Sequence, residues 1–138
     1  MRAFAAFTIL LALPATSVAA SADITGNWIV EDRSAVVLIA RCGSSLCGRI
    51  VKPLRNQPGH ARTDVRNPNP ALRGRPIIGM TIISGFRPDG PAWRNGRIYD
   101  PESGRSYRSI LRLNGDGTLK VSGCVAFICK SQRWTRAR

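Results

Sequence analysis

Short segments rich in β-branched, aromatic and aliphatic residues recur along this chain, divided about every ten residues by a turn signal, a cadence that belongs to all-β sandwiches and barrels. Asp89-Gly90, Asn95-Gly96, Ser103-Gly104 and Asp116-Gly117 place glycine where hairpin turns need a positive φ. The segments between such signals predict strands over residues 26–31, 35–42, 47–52, 80–87, 92–99, 106–113, 118–124 and 128–136. A turn at Asn95-Gly96 would split its segment and raise the count to nine. Alternation supports one buried face: Tyr107, Leu111 and Leu113 fall on the side opposite Arg108 and Arg112, with Ile110 on the arginine side. The expected fold is a small antiparallel up-and-down β-barrel of about eight strands.

The amino terminus has a different character. Met1-Arg2 precedes the apolar run Ala3 to Leu13, then Pro14 and small residues ending Ala20-Ser21-Ala22. This is the layout of a cleavable export signal over residues 1–22. The run is too short for a stable membrane-spanning helix, and no second run of spanning length follows. Residues 23–138 then form a single domain. The whole chain carries 21 Lys+Arg against 8 Asp+Glu, a formal charge of +13 at pH 7, of which Arg2 leaves with the signal. Arginine dominates, and its planar fork suits phosphate and carboxylate groups, so anionic partners are expected.

Four cysteines form two pairs of equal spacing, Cys42-x4-Cys47 and Cys124-x4-Cys129. An even count in an exported chain points to disulfides. Cys42 to Cys47 reads as two strands around a four-residue turn, which places facing residues within bridging reach, and the expected pairing is Cys42–Cys47 and Cys124–Cys129 among the three that four cysteines allow. Zinc is disfavoured: the spacing exceeds that of a zinc knuckle and His60 is the only histidine, so no metal or cofactor is expected.

Residues 53–79 break the cadence with five of the nine prolines. Pro68, Pro70 and Pro76 oppose regular sheet pairing, while Asn67 and Asn69 suit Asx turns and Ala71 to Arg73 one helical turn. The stretch reads either as a strap across one barrel end or as an exposed linker.

Several phrases together resemble a known family. Gly26-Asn27-Trp28, Cys47-Gly48-Arg49-Ile50-Val51, Asp64 with Asn67-Pro68-Asn69-Pro70, Tyr99-Asp100-Pro101 with Gly104 and Tyr107, and Ser131-Gln132-Arg133-Trp134-Thr135-Arg136 resemble the bacterial family called domain of unknown function 2147. The resemblance implies an exported protein of Gram-negative bacteria, periplasmic or secreted, with a calycin-like, lipocalin-resembling barrel and no agreed activity. Gly26-x-Trp28 and the closing Trp134-Thr135-Arg136 are also similar to the first and last strands of lipocalins. That likeness implies that Trp28 plugs the barrel floor with Arg133 or Arg136 stacked on its face.

No catalytic constellation emerges. There is no Gly-x-Ser-x-Gly elbow and no Cys-x-x-Cys, and the pool of bases is His60, Glu31, Glu102 and six aspartates. Asp100 is expected to hold its turn through Arg105 or Arg108, and Asp64 to hold the strap through an arginine. The chain therefore reads as a non-enzymatic binding protein for a small amphipathic or anionic ligand. Leu38, Ile82, Phe86, Trp93, Ile98, Tyr107, Leu111 and Val121 would be inside or near the mouth. The contact candidates are Arg73, Arg75, Phe86, Arg87, Trp93, Arg97, Tyr99 and Tyr107. The alternative is an envelope interaction protein whose arginine surface docks on anionic lipid, cell-wall polymer or an acidic protein. Nucleic acid is disfavoured by export, although Trp93 and Tyr99 could stack on bases.

Overall fold

The computed structural model describes residues 12–17, 19–55 and 60–138, so most of the expected signal, residues 1–11 and 18, lies outside the described residues. Eight antiparallel strands close into a barrel in chain order: β1 (Gly26–Ile29), β2 (Ala35–Cys42), β3 (Ser45–Pro53), β4 (Thr81–Asp89), β5 (Ala92–Asp100), β6 (Arg105–Leu113), β7 (Leu119–Val125) and β8 (Ile128–Arg136). A 3-10 turn, Pro70–Leu72, sits in the long β3–β4 connection. No described helix is long and apolar enough to cross a membrane.

The up-and-down order puts the β2–β3, β4–β5 and β6–β7 turns at one end with Gly26 and Arg136, and the β1–β2, β5–β6 and β7–β8 turns at the other with the long connection. The first end is plugged. Trp28 is fully buried, its Nε1 donates to the Ile24 carbonyl at 2.9 Å, and the Arg136 guanidinium lies 4.4 Å from its ring centroid. Of the two stacking candidates, Arg136 takes the place. Trp134 pairs with Leu119 on β7, and Val37, Ile39, Leu111, Val121 and Phe86 complete a packed interior. Trp28, Trp134 and Phe86 are the bulkiest fully buried side chains, and each removes a large apolar area from water.

Three local expectations are corrected. Asn95-Gly96 makes no hairpin: β5 runs through it, with Asn95 at φ 63° and a register shift between Trp93 and Gly96. The Cys42–Cys47 hairpin turns on two residues, not four, because Cys42 pairs with Ser45, and the Cys124–Cys129 hairpin likewise turns on two, with Val125 paired to Ile128. Leu38 aligns with Asn27 and Arg49, on the face opposite buried Val37 and Ile39, so it belongs to the outer wall.

Closure is unequal around the rim. β1 ends at Ile29, two residues short of the sequence expectation, and meets β8 only through Trp28↔Arg136 and Ile29↔Thr135. The Arg133 N–H is taken by the Glu31 side chain at 3.0 Å. From Ile128 to Arg133, β8 therefore has β7 as its one strand neighbour.

Candidate binding site at the barrel mouth

The strap is fastened by a buried carboxylate. Asp64 is fully buried and accepts from Tyr99 Oη at 2.6 Å, Asn67 Nδ2 at 2.7 Å and Arg75 Nη2 at 2.9 Å. Asn67 and Asn69 then make consecutive Asx turns to Asn69 N and Ala71 N, and Arg73 Nε donates to the Asn67 carbonyl. Pro68, between the two asparagines, and Pro70, opening the 3-10 turn, hold the backbone in this path. A second attachment joins Arg66 to the Glu102 carbonyl at 2.7 Å. Gly104, at φ 71°, lies so close to the Arg66 carbonyl that a Cβ there would overlap it. The strap is thus bonded to β5 and to the β5–β6 turn. Burial acts to raise the Asp64 carboxyl, but the bonds from Tyr99, Asn67 and Arg75 outweigh it and hold it below the usual carboxylate range. Burial, with the bond to Asp64, pushes the Tyr99 phenol up to about 12.

The expected Asp100 contact with Arg105 or Arg108 is not the one formed. Asp100 Oδ1 accepts the Glu102 N–H at 3.0 Å and its carbonyl accepts the Gly104 N–H, so Asp100-Pro101 caps its own turn. An Asx turn closes at shorter range than an arginine side chain needs.

Away from the strap, the inner wall is built by register. Directly opposed residues on antiparallel strands face the same side, and Gly96↔Ser109 and Ser109↔Gly123 align with Gly123↔Lys130. One level of the wall therefore reads Gly96, Ser109, Gly123, Lys130 across β5 to β8. The Phe86 ring fills the space over Gly96. Over Gly123 the side chains of Tyr107 and Ile98 close in, with Tyr107 Cβ 3.6 Å and Ile98 Cγ2 4.0 Å from where a Cβ would begin. Ser109 is 2% exposed and its Oγ is the one buried side-chain polar atom without a hydrogen-bond partner among the described residues. Gln132 pairs with Val121 and so faces inward beside Lys130. Both are exposed, because no strand lies beyond β8 at this height. Gln132 Oε1 accepts from Trp134 Nε1 at 2.9 Å, which aims its amide N–H2 away from that contact. Lys130 makes no ion pair among the described residues. A cation and an amide thus stand on one uncovered stretch of inner wall, and the buried Ser109 hydroxyl lies on the same face at the level of Lys130.

The eight contact candidates do not converge. Tyr99, Arg73 and Arg75 meet at the strap lock, and Tyr107 is half-buried on the inner wall. Phe86 and Trp93 are buried in the core, Trp93 with its Nε1 on the Ala22 carbonyl at 2.9 Å. Arg87 and Arg97 are exposed on the outer face, opposite Arg94 and Arg108. Ser109, Gly123, Lys130 and Gln132 had only one signal in the sequence, the alternation that places 107, 109 and 111 on one side of β6. Two shallow depressions lie outside the barrel: about 350 Å³ between Arg41, Ser21 and Trp93, and about 340 Å³ on the outer wall by Arg94, Ile110, Arg112, Lys120 and Ser131.

The family described as "Uncharacterized protein conserved in bacteria (DUF2147)" matches residues 26–136, which spans the barrel from the first residue of β1 to the last of β8. The chain is a DUF2147 protein. A solved structure, protein HP1028 from the human pathogen Helicobacter pylori, described as belonging to the lipocalin family, is similar to this DUF2147 protein. The TM-score is 0.75 at 19% identity, covering 86% of this chain and 85% of that one. At that identity the likeness establishes a lipocalin-like fold. Comparison with curated proteins found no match. In the DUF2147 barrel the cysteines pair locally, Cys42 with Cys47 and Cys124 with Cys129, at Cα separations of 5.8 and 4.0 Å. Disulfides in a bacterial protein fit an oxidising setting outside the cytoplasm.

Proposed function

We propose that this DUF2147 protein is an exported, non-enzymatic barrel that holds a small amphipathic anion at its mouth, between the strap and the β7–β8 hairpin. The observation that carries the reading is Ser109: a buried hydroxyl without a partner costs about 1–3 kcal/mol, a penalty that a ligand oxygen at this place would remove. Lys130, inward-facing and free of a carboxylate, supplies the charge for a carboxylate or phosphate head. Gly123, between them on the inner face, adds no side chain of its own. Ile98 and Tyr107 offer apolar surface to a short tail. The lipocalin-like fold supports a ligand at the mouth, and the packed lower half restricts it to a small one.

Binding is favoured over catalysis because the buried carboxylate, Asp64, is engaged by three donors that hold it in its charged, strap-locking role. Export would bring the protein to the periplasm or beyond after removal of residues 1–22.

Calorimetric titration with dodecanoate, dodecyl phosphate and uncharged dodecanol tests the site. Saturable one-to-one binding of the anions is expected, weaker for dodecanol, reduced about tenfold by Lys130→Gln and abolished by Gly123→Val. Equal binding by wild type and both variants, or no saturable heat, would overturn the reading.

A further inference from the structure

The β7–β8 hairpin carries a feature that ligand binding does not use. Its turn, Val125-Ala126-Phe127-Ile128, is apolar throughout, and its three large side chains are exposed: Val125 65%, Phe127 96% and Ile128 69%. Cys124 and Cys129 pair directly across the hairpin one step below and staple it. The turn is therefore held in place rather than free to fold its side chains inward. Apart from Leu13, every other large apolar side chain exposed among the described residues, namely Leu54, Val65, Leu72 and Ile78, lies on the strap at the same end of the barrel. Scattered exposed apolar residues need no explanation, but their confinement to one end does.

The charge carried by the strands of this hairpin and its neighbour β6 is of one sign at this end, while the β1–β2 and β5–β6 turns at the same end hold Glu31, Asp32 and Glu102. Arg108 on the outer face donates from its guanidinium to the Ala126 carbonyl, and Lys130 stands on the inner face two residues past Ile128. From Arg105 to Arg138 the sole carboxylate side chain is Asp116, in the β6–β7 turn at the opposite end, where it is already paired with Arg133. A stapled apolar wedge between cations matches an anionic lipid surface, whose headgroups meet the cations while its hydrocarbon receives the wedge. An acidic protein would satisfy the charges but would leave Phe127 unexplained.

We propose that the mouth end of the barrel docks on an anionic lipid bilayer by inserting Phe127 and Ile128, with Arg108 and Lys130 on the headgroups. The inference does not rest on the ligand reading, since the wedge lies on the rim and its insertion needs no occupant in the mouth. It also orients the molecule, turning the uncovered stretch of inner wall toward the membrane surface.

Co-sedimentation of the purified protein with phosphatidylcholine vesicles, with and without phosphatidylglycerol, gives the test. Binding is expected only with the anionic lipid, falling as salt rises. A Phe127→Ser/Ile128→Ser double variant should bind at least tenfold more weakly, and Arg108→Gln about fivefold more weakly. The double variant alters exposed side chains only, so its thermal unfolding should be unmoved. Phe127→Trp should show a blue-shifted emission on anionic vesicles, measured against the same protein in buffer. Absence of co-sedimentation, undiminished binding by the double variant, or co-sedimentation with no emission shift would overturn insertion, the last leaving adsorption by charge alone. Failure here leaves the calorimetric titration with dodecanoate unaffected, and failure there leaves this one unaffected.

Discussion

Asp64 shows how a single residue holds a long loop. Its three donors come from β5 and from two points on the strap, so loss of its charge releases the lock at once. Asp64→Asn should cost about 2–3 kcal/mol at pH 7, measured by denaturant unfolding. The native carboxyl is held below its usual range, so its contribution is complete above the unfolded value of about 4 and is lost as pH falls through the native one. Wild type should therefore lose stability below about pH 4 more steeply than Asp64→Asn; identical acid profiles would contradict the lock. Tyr99 works in the other direction, since its phenol is pushed up to about 12. Its contribution is present below the unfolded value of about 10 and fades as pH rises from there toward 12. An ultraviolet titration should show a phenol ionising near 12 that disappears in Tyr99→Phe.

Among the elements, β5 tests the packing most sharply. Gly96 continues the strand because Phe86 lies against it, and a Cβ there would enter the ring. Gly96→Ala should cost about 1–3 kcal/mol by overpacking, read from the denaturation midpoint. An unchanged midpoint would mean that Phe86 is not seated as described. The same position shows where sequence reasoning stopped. Asn95-Gly96 carries the dipeptide of a tight hairpin turn, and nothing local distinguishes that from a glycine required by the Phe86 ring of the neighbouring strand. The strand pattern itself was legible, because alternation and turn residues are local properties. The strap's Asx turns, and an arginine as the partner of Asp64, were legible for the same reason, although which arginine was not. The inner wall at Ser109, Gly123 and Lys130 was not. Its accessibility depends on where β1 stops relative to β8, a pairing across more than a hundred residues of chain.

For the whole molecule, an unevenly closed barrel unites the observations. One end is sealed by Trp28, Arg136 and Trp134, while the other is half covered by the strap and half bounded by a hairpin with one strand neighbour. A formal charge of +13 attracts anions to the entire surface and so cannot by itself say where one is held. Location is the decisive question. Amide chemical shifts of isotope-labelled protein, followed during titration with dodecyl phosphate, answer it most directly. The account predicts saturating shifts at Tyr107 to Ser109, Gly123 and Lys130 to Gln132; shifts confined to the outer wall at Arg94, Arg112 and Lys120, or no saturable shifts, would contradict it.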